Sequence, residues 1–401
     1  MNEKLIVKNF GPIREAELDL KKVTVFIGPQ GSGKSALAKL VAICKDSDFL
    51  AMCYVGEKKE ILLDFFKKYD AQYFLEDLTL DFETLDYNFR FKSYNTSCYF
   101  EFKKPVPRSF FIGGNPTFPD FESYKNYLKS APFINESDLI PLKKCFSDIA
   151  KNHIKYIPTE RLMLSYVSDS LLSLLSADVA LTKGFIDFGR DFEIARKSQN
   201  WTDIDFLGIR YIYQDNRNYV IHHESGTQIP LSASSSGQQS VVPLYVITEY
   251  FAKKLNVTTI VEEPELNLFP DAQKQLIGSL VEKCLQGGKG DNELLITTHS
   301  PYILTALNNL IFAYQVAQVL PERADEIAKI VPREQWLNPN DVAAYYVGED
   351  ENGVKGGTHS ISNKKTGLIG QNELDEVSDE LGDEFNALMN IYRTRKRETV
   401  N

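Results

Sequence analysis

The sequence has few of the features that mark exported, membrane-spanning or zinc-binding proteins. Its five cysteines are an odd number, lie far apart and form no Cys-x-x-Cys pair, which argues against a disulfide framework and a zinc ribbon. No apolar run reaches the roughly 18 residues of a transmembrane helix, and the N-terminus shows no apolar signal segment. The sequence therefore predicts a soluble protein with reduced thiols, and the expected compartment is the cytoplasm.

The sequence also lacks an excess of positive charge. Its 45 Lys and Arg residues face 55 Asp and Glu residues, so the formal net charge is −10. This balance excludes a whole-molecule attraction to nucleic acid, whereas a local basic patch would still bind it, so DNA is allowed as a partner but not required. With 43% hydrophobic and 25% charged residues, the chain has the composition of a folded protein. Its 401 residues are enough for two or three domains, or for one large domain with insertions.

The N-terminal segment predicts a hairpin, then a buried strand, then a helix. Residues 4–10 and 16–20 flank the turn-forming pair Gly11-Pro12. Residues 23–27 are apolar and mostly β-branched, as a strand buried on both faces requires, and residues 36–44 favour helix. A glycine-rich loop separates that strand from that helix.

The rest of the chain mixes a β-rich section with alternating β and α segments, and the alternation is typical of a parallel α/β sheet. The patterns predict a helix over 59–76, antiparallel strands over 78–103, helices over 160–200, a hairpin over 208–222, a helix over 237–255, a strand over 258–261, a helix over 271–286 and a strand over 293–297.

Residues 28–35, Gly-Pro-Gln-Gly-Ser-Gly-Lys-Ser, match the phosphate-loop motif G-x-x-x-x-G-K-[ST] between the strand and the helix. The glycines let backbone N–H groups surround phosphates, Lys34 would neutralise phosphate oxygens, and the Ser35 hydroxyl would ligate Mg²⁺. The alternative is a chance glycine-rich turn, which average usage gives in about 1% of chains this long. The predicted nucleotide-binding residues are Gly28, Gln30, Gly31, Ser32, Gly33, Lys34 and Ser35.

Residues 259–265 form an apolar strand that ends in paired carboxylates, the Walker-B arrangement. Glu262 is expected to hold Mg²⁺, directly or through water, and Glu263 is expected to orient and deprotonate the attacking water. The alternative is an acidic cluster that caps the following helix.

Two further motifs follow the same logic. His299 comes directly after the next apolar strand, where it could reach the terminal phosphate, although a lone histidine is often structural. Residues 234–239, Ser-Ser-Ser-Gly-Gln-Gln, precede a helix and offer a second anion site, the alternative being an ordinary serine N-cap. Two anion sites in one chain suggest a dimer in which the serine motif of each protomer closes the phosphate site of the other.

The order of these motifs resembles that of ABC-type ATPases of the RecF, SMC and overcoming-lysogenisation-defect branch, and residues 9–13, Asn-Phe-Gly-Pro-Ile, are similar to its N-terminal strand. The resemblance implies an α/β P-loop NTPase fold of ABC-ATPase type, with a mixed sheet plus an antiparallel β-section, and it implies ATP and Mg²⁺ as cofactors. It also implies that Ser235 and Gly237 contact ATP in trans, that Asn267 in a D-loop lies near the dimer seam, and that His299 is the switch histidine.

The sequence departs from this branch in three ways. It has no coiled-coil segment between its two halves, and we find no Toprim-like Asp-x-Asp nuclease element after Thr298. Residues 156–161 resemble the strand and loop that carry the ABC Q-loop glutamine, but they offer Arg161 instead. A DNA-tethering rod and a built-in nuclease are therefore not expected.

The resemblance divides the chain into four predicted regions. Residues 1–105 form a first ATPase lobe with the phosphate loop and the antiparallel β-section, and residues 206–320 form a second lobe with the signature, the carboxylates and the switch histidine. Between them, residues 106–205 are expected to form a mostly helical insertion or lid. Residues 321–401 are expected to form a small C-terminal α+β region.

A stand-alone ATPase of this size resembles the ATPase subunits of bacterial anti-phage defence systems such as PARIS and Septu. This resemblance implies an ATP-dependent homo-oligomer, a dimer with composite ATP sites or a higher assembly. It further implies a separately encoded nuclease or toxin effector as partner, a phage protein as trigger, and no membrane. The alternatives are a RecF-like DNA repair or recombination ATPase that binds DNA as a dimer and, less in keeping with the middle region, a transporter ATPase.

Overall fold

The computed structural model describes residues 3–46, 48–50, 59–75, 77–84, 87–93, 97–102, 153–167, 181–253, 256–286, 292–370, 384–385 and 387–389. The strands are β1 (Glu3–Phe10), β2 (Ile13–Leu20), β3 (Val23–Ile27), β4 (Thr79–Glu83), β5 (Tyr87–Lys92), β6 (Ser97–Phe102), β7 (His153–Ile157), β8 (Trp201–Ile204), β9 (Ile209–Gln214), β10 (Arg217–His222), β11 (Gln228–Pro230), β12 (Val257–Glu262), β13 (Glu293–Thr298), β14 (Val342–Glu349) and β15 (Lys355–Ser360). The helices are α1 (Lys34–Lys45), α2 (Lys59–Lys68), α3 (Leu164–Val167), α4 (Lys183–Ser198), α5 (Ser236–Ala252), α6 (Pro270–Val281), α7 (Pro301–Val319) and α8 (Ala324–Ala328).

A six-stranded sheet in the order β15-β14-β3-β13-β12-β7 forms the centre of the fold. Its strands are parallel except for β15, which pairs antiparallel with β14 at one edge. Every residue of β3, β12 and β13 is buried, because the sheet is covered on both faces. Neighbouring residues face different cores: Phe26 packs with α1, whereas Val25 packs with the side that holds α5, α6 and α7.

Two antiparallel sheets flank the central sheet. The sequence predicted the N-terminal hairpin, the strands over 78–103 and the hairpin over 208–222, but it predicted neither β8 nor β11. The first has the order β2-β1-β4-β5-β6 and shares an aromatic core with α1 and α2, in which Phe49 contacts Phe66, Phe89 and Phe91. The second has the order β11-β10-β9-β8. Its β9–β10 hairpin turns through Asp215 and Asn216, which both have positive φ, as two-residue hairpin turns favour.

The central sheet takes one strand from each of two regions that the sequence analysis set apart. β7 comes from residues 106–205 and lies at the sheet edge beside β12. β14 comes from residues 321–401 and lies beside β3. The pairing of strands that are distant in sequence leaves no local signal in the sequence. The division of the chain into four regions remains a proposal. Much of the predicted helical insertion, namely residues 106–152 and 168–180, lies outside the described residues.

Smaller differences concern helix ends. α2 ends at Lys68, well before the predicted boundary at residue 76, and Asp70 with a φ of 51° turns the chain into a short 3-10 helix, Gln72–Phe74. Within the described ranges, every helix is too short or too polar to cross a bilayer.

A buried ion cluster joins the elements at the amino ends of β12 and β13. Lys45, the last residue of α1, forms ion pairs with Glu3 and with Glu293, the latter at 2.6 Å. The Glu293 carboxylate also accepts a hydrogen bond of 2.6 Å from the Thr258 hydroxyl. The cluster fixes the far end of α1, so the phosphate loop at its near end starts from a rigid helix.

Candidate nucleotide site

The phosphate loop lies at the carboxyl end of β3, where parallel sheets bind their ligands. Two of its glycines are required by close neighbours. A Cβ on Gly28 would lie 2.0 Å from the Val347 carbonyl oxygen, and a Cβ on Gly33, whose φ is 106°, would lie 2.5 Å from Ile13 Cδ1. The loop is therefore held between the β1–β2 hairpin and the end of β14.

The polar groups of this loop suit a phosphate ligand. Lys34 is buried, and its Nζ donates hydrogen bonds of 2.8 Å to the carbonyl oxygens of Gly28 and Pro29. The Ser32 Oγ is buried and makes no hydrogen bond to any described residue. Gln30 and Gly31 are exposed at the tip of the loop. A polyphosphate would bond the unpartnered Ser32 hydroxyl and would be attracted to the Lys34 ammonium inside this glycine cradle, so the residues present fit the group.

Burial controls the charge state of Lys34. It lowers the pKa of the ammonium group to about 8, against the opposing negative charges of Glu263 and Glu265. At neutral pH Lys34 is therefore a cation, but its proton is held more weakly than that of an exposed lysine. Ser35, the predicted magnesium ligand, is half-buried in the first turn of α1.

A chain of three side chains links the phosphate loop to the paired carboxylates. Lys34 Nζ lies 3.3 Å from His299 Nδ1, and His299 Nε2 lies 2.9 Å from Glu263 Oε1. Because an ammonium group can only donate, Nδ1 must accept, and the network thus assigns the proton of the neutral ring to Nε2, which donates to Glu263. Three segments far apart in sequence meet in this way, and the structure brings together residues predicted separately.

The two carboxylates at the end of β12, Glu262 and Glu263, have different environments. Glu262 is 3% exposed, and its charge adds to burial in raising the pKa of the Tyr156 hydroxyl on β7. Glu263 has a φ of 43°, and its N–H donates to the Thr297 carbonyl oxygen at 2.9 Å. A non-glycine residue in this conformation costs on the order of 1–3 kcal/mol, which surrounding contacts must offset.

Glu265 is a site residue to which the sequence analysis gave no role. Its Oε1 accepts hydrogen bonds of 2.7 Å from the Thr298 hydroxyl and from the His299 N–H, so it fixes the end of β13. Burial raises the pKa of this carboxyl. The alternative interpretation, that the acidic cluster caps α6, is wrong, because the N-cap of α6 is Phe269, whose side chain makes no capping hydrogen bond.

Arg161 is the second site residue without a predicted role. It is fully buried in a short 3-10 helix, Thr159–Met163, that follows β7. Its guanidinium donates to the carbonyl oxygens of Glu262 at 2.7 Å and Glu263 at 2.6 Å. Burial lowers its pKa to about 10, against the opposing charges of the neighbouring glutamates, so Arg161 stays protonated at neutral pH.

The serine motif is a well-formed helix start. Ser235 is the N-cap of α5 and forms a capping box with Gln238, in which each side chain bonds the backbone of the other residue. A Cβ on Gly237 would lie 2.8 Å from the Asn267 carbonyl oxygen, so the predicted signature and D-loop are in contact within one chain. The N-cap interpretation is thus correct within the single chain, and the contact of Ser235 with ATP in trans remains a prediction.

Solved structures that align with this chain include head domains of SMC proteins. The head domain of SMC from Thermotoga maritima aligns at 14% identity over 76% of this chain and 92% of that one, with a TM-score of 0.37. A Pyrococcus furiosus Smc head domain with an extended coiled coil, bound to the C-terminal domain of ScpA, aligns at 9% identity over 95% and 98%, with a TM-score of 0.39. No curated protein gives a significant match.

The family comparison decides the classification. The family model described as AAA ATPase domain matches residues 1–173 and 147–304, which together span more than half of the chain. The predicted fold class, a P-loop ATPase with a mixed sheet and an antiparallel β-section, is confirmed. The chain belongs to the AAA ATPase domain family.

Proposed function

We propose that this protein binds MgATP and hydrolyses it, and that ATP-dependent dimerisation or higher assembly lets it control a separately encoded nuclease or toxin in bacterial anti-phage defence. The observation that carries the ATPase part is the chain from Lys34 through His299 to Glu263. It places a cation for phosphate, a histidine and a base candidate in one contiguous network beside the glycine cradle.

The residues divide the work between binding and chemistry. The phosphate loop, from Gly28 to Lys34, holds the phosphates, and Ser35 and Glu262 hold Mg²⁺. When bound, Mg²⁺ supplies positive charge that neutralises the phosphate oxygens. Glu263 orients a water molecule and accepts its proton, while the His299 Nε2–H fixes one carboxylate oxygen of Glu263.

The proposed dimerisation is supported by exposed aromatic side chains beside the nucleotide site. Phe269 is 86% exposed two residues after Asn267, and Tyr302 is 53% exposed three residues after His299. Both follow strands whose carboxyl ends meet at the site, since β12 and β13 are parallel neighbours. Exposed aromatic side chains beside a polar site are typical of protein interfaces, and they support a composite site closed by Ser235 and Gly237 of a second copy.

The defence part rests on the sequence resemblance. It gives the protein a cytoplasmic location, a separately encoded nuclease or toxin as effector, a phage protein as trigger and no role in a membrane. DNA binding is not required by this function. Neither the charge of −10 nor the site geometry favours the RecF-like alternative.

Phosphate release tests the ATPase. We expect Glu263→Gln to bind ATP but to lose at least about a hundredfold in turnover, because the amide keeps the shape and removes the base. The matched control is Glu224→Gln, which changes an exposed carboxylate in the turn after β10 and should leave turnover unchanged. Wild-type turnover in Glu263→Gln would refute the proposed role of Glu263.

Co-purification and infection tests address the effector. The protein, expressed with the products of its neighbouring genes, should retain one of them in an ATP-dependent complex, and Lys34→Ala should abolish both the complex and the protection of cells from phage. Protection that persists in Lys34→Ala would contradict the defence proposal. DNA binding that falls steeply with salt would favour the repair alternative.

A further inference from the structure

Arg161 lies beneath the surface of the site, yet it contacts the backbone of the proposed Mg²⁺ ligand Glu262 and of the proposed base Glu263. The side chain of Arg161 is completely buried, and its three hydrogen bonds to the described residues are all to main-chain carbonyl oxygens. One of these carbonyls belongs to Pro158, at the start of its own 3-10 helix. The other two belong to Glu262 and Glu263, at the end of a strand adjacent to β7.

The contacts of Arg161 complete the hold on the Glu263 backbone. The N–H of Glu263 is bound by Thr297 of β13, and its carbonyl oxygen accepts from Arg161 at 2.6 Å. Glu263, held by these two contacts, has a positive φ, and its Oε1 lies 2.9 Å from His299 Nε2. The two neighbours of β12, β13 on one side and the segment after β7 on the other, thus fix this peptide from both sides.

The geometry suits arginine in particular. Two different nitrogens of one planar guanidinium bond the carbonyls of two successive residues, and a single ammonium group cannot reproduce that fork. The turn that follows has its own closing hydrogen bond, from Leu266 N–H to the Glu263 carbonyl, at 3.1 Å. The turn is therefore not held by Arg161 alone.

We propose that Arg161 is a positioning residue for Glu263, which holds the backbone of the base in the left-handed conformation that turns its carboxylate towards His299 and the attacking water. The proposal rests on the proposed function, since it assumes that Glu263 is the base. The proposal gives the segment that follows β7 a role in hydrolysis that requires no contact with the nucleotide.

The first test separates binding from chemistry in the full-length protein. Arg161→Met should lower kcat by about ten- to a hundredfold, the scale of a small misplacement of a catalytic group. The affinity for a fluorescent ATP analogue should change by less than about threefold, because Arg161 touches neither the phosphate loop nor solvent. Arg161→Lys keeps the charge but lacks the forked pair of donors, so its kcat should lie between that of the wild-type protein and that of Arg161→Met. Unchanged kcat in folded Arg161→Met would overturn the proposal.

A control variant isolates the effect of a lost buried arginine. Arg196 on α4 is also buried, and its guanidinium donates to Asn218 in a different part of the protein. Arg196→Met should lower the melting temperature and leave kcat per folded molecule unchanged. A loss of kcat in Arg196→Met as large as that in Arg161→Met would mean that any buried arginine has this effect, and it too would overturn the proposal.

A double-mutant cycle tests whether Arg161 acts through Glu263. In a Glu263→Gln background, Arg161→Met should lower kcat no further, since the base that it positions is already gone. Losses that multiply would show an independent role and overturn the proposal. If Arg161→Met does not fold, Arg161→Lys carries the same cycle. Wild-type turnover of Glu263→Gln alone would instead refute the proposed role of the base, so the two failures are distinct.

Discussion

The phosphate loop and the serine motif are both glycine-containing segments at helix starts, but they differ in how their polar groups are satisfied. Among the described residues, the Ser32 hydroxyl of the phosphate loop finds no partner, and Lys34 bonds only its own loop and His299. In the serine motif, Ser235 is engaged by Gln238, and Gln239 bonds the carbonyls of Ser232 and Ser234. The phosphate loop therefore keeps a buried hydroxyl that a ligand could bond, whereas these polar groups of the serine motif are engaged within the chain.

The largest effect is expected when the Lys34 cation is removed from the phosphate loop. Lys34→Ala should weaken ATP binding by more than about a hundredfold, because hydrogen bonds to charged groups contribute roughly 1.5–3 kcal/mol each. Titration with a fluorescent ATP analogue measures this. Lys39→Ala, on the same helix, is the control and should bind normally. If Lys34→Ala kept wild-type affinity, the phosphate loop would have no part in binding.

The next effect tests the packing of the cradle. Gly28→Ala places a methyl group 2.0 Å from the Val347 carbonyl oxygen, whereas Gly31→Ala finds nothing within 4 Å. We expect Gly28→Ala to lower the free energy of unfolding by about 2–3 kcal/mol, and Gly31→Ala, which has only a positive φ to accommodate, by about 1 kcal/mol. Denaturant unfolding of both variants gives the comparison. Equal losses would mean that the contact with β14 does not constrain the loop.

A smaller effect follows from the lowered pKa of Lys34, which is about 8 in the free protein. Bound phosphates favour the protonated amine, so affinity should be constant below pH 8 and should fall by up to about tenfold per pH unit above it. Binding measured between pH 7 and 9.5 tests this sign. Lys34→Arg, which keeps its charge throughout, should give a flat profile. A flat profile in the wild-type protein would contradict the assignment.

The smallest expected signal comes from a mixing experiment that tests whether the serine motif acts across a dimer interface. Inactive Lys34→Ala and inactive Ser235→Arg chains, mixed in equal amounts, should recover at most about a quarter of wild-type ATPase activity, because half of the dimers then hold one intact site of two. Recovery would show that the serine motif acts across an interface. If heterodimers form and no activity returns, Ser235 is only an N-cap, worth about 1 kcal/mol.

The same contrast explains what could be predicted from sequence. The glycine spacing around Lys34 and the β-branched run before it are local signals, and both the loop and its flanking elements were predicted correctly. The capping box of Ser235 is equally local. The roles of Arg161 and Glu265 depend on which strands become neighbours, and no periodicity in their own segments carries that information. Placing Tyr156 beside Glu262 requires the β7–β12 pairing, which joins segments about a hundred residues apart.

The pairing of β3 with β14 has a consequence for synthesis of the chain on the ribosome. Gly28 and its loop emerge early, but the carbonyl that packs on Gly28 belongs to Val347. Until that residue has left the exit tunnel, β3 has one of its two lateral neighbours missing and its loop has one open side. A nascent chain released before β14 would carry every recognisable motif and still lack a finished cradle, so competence for nucleotide is acquired late in translation.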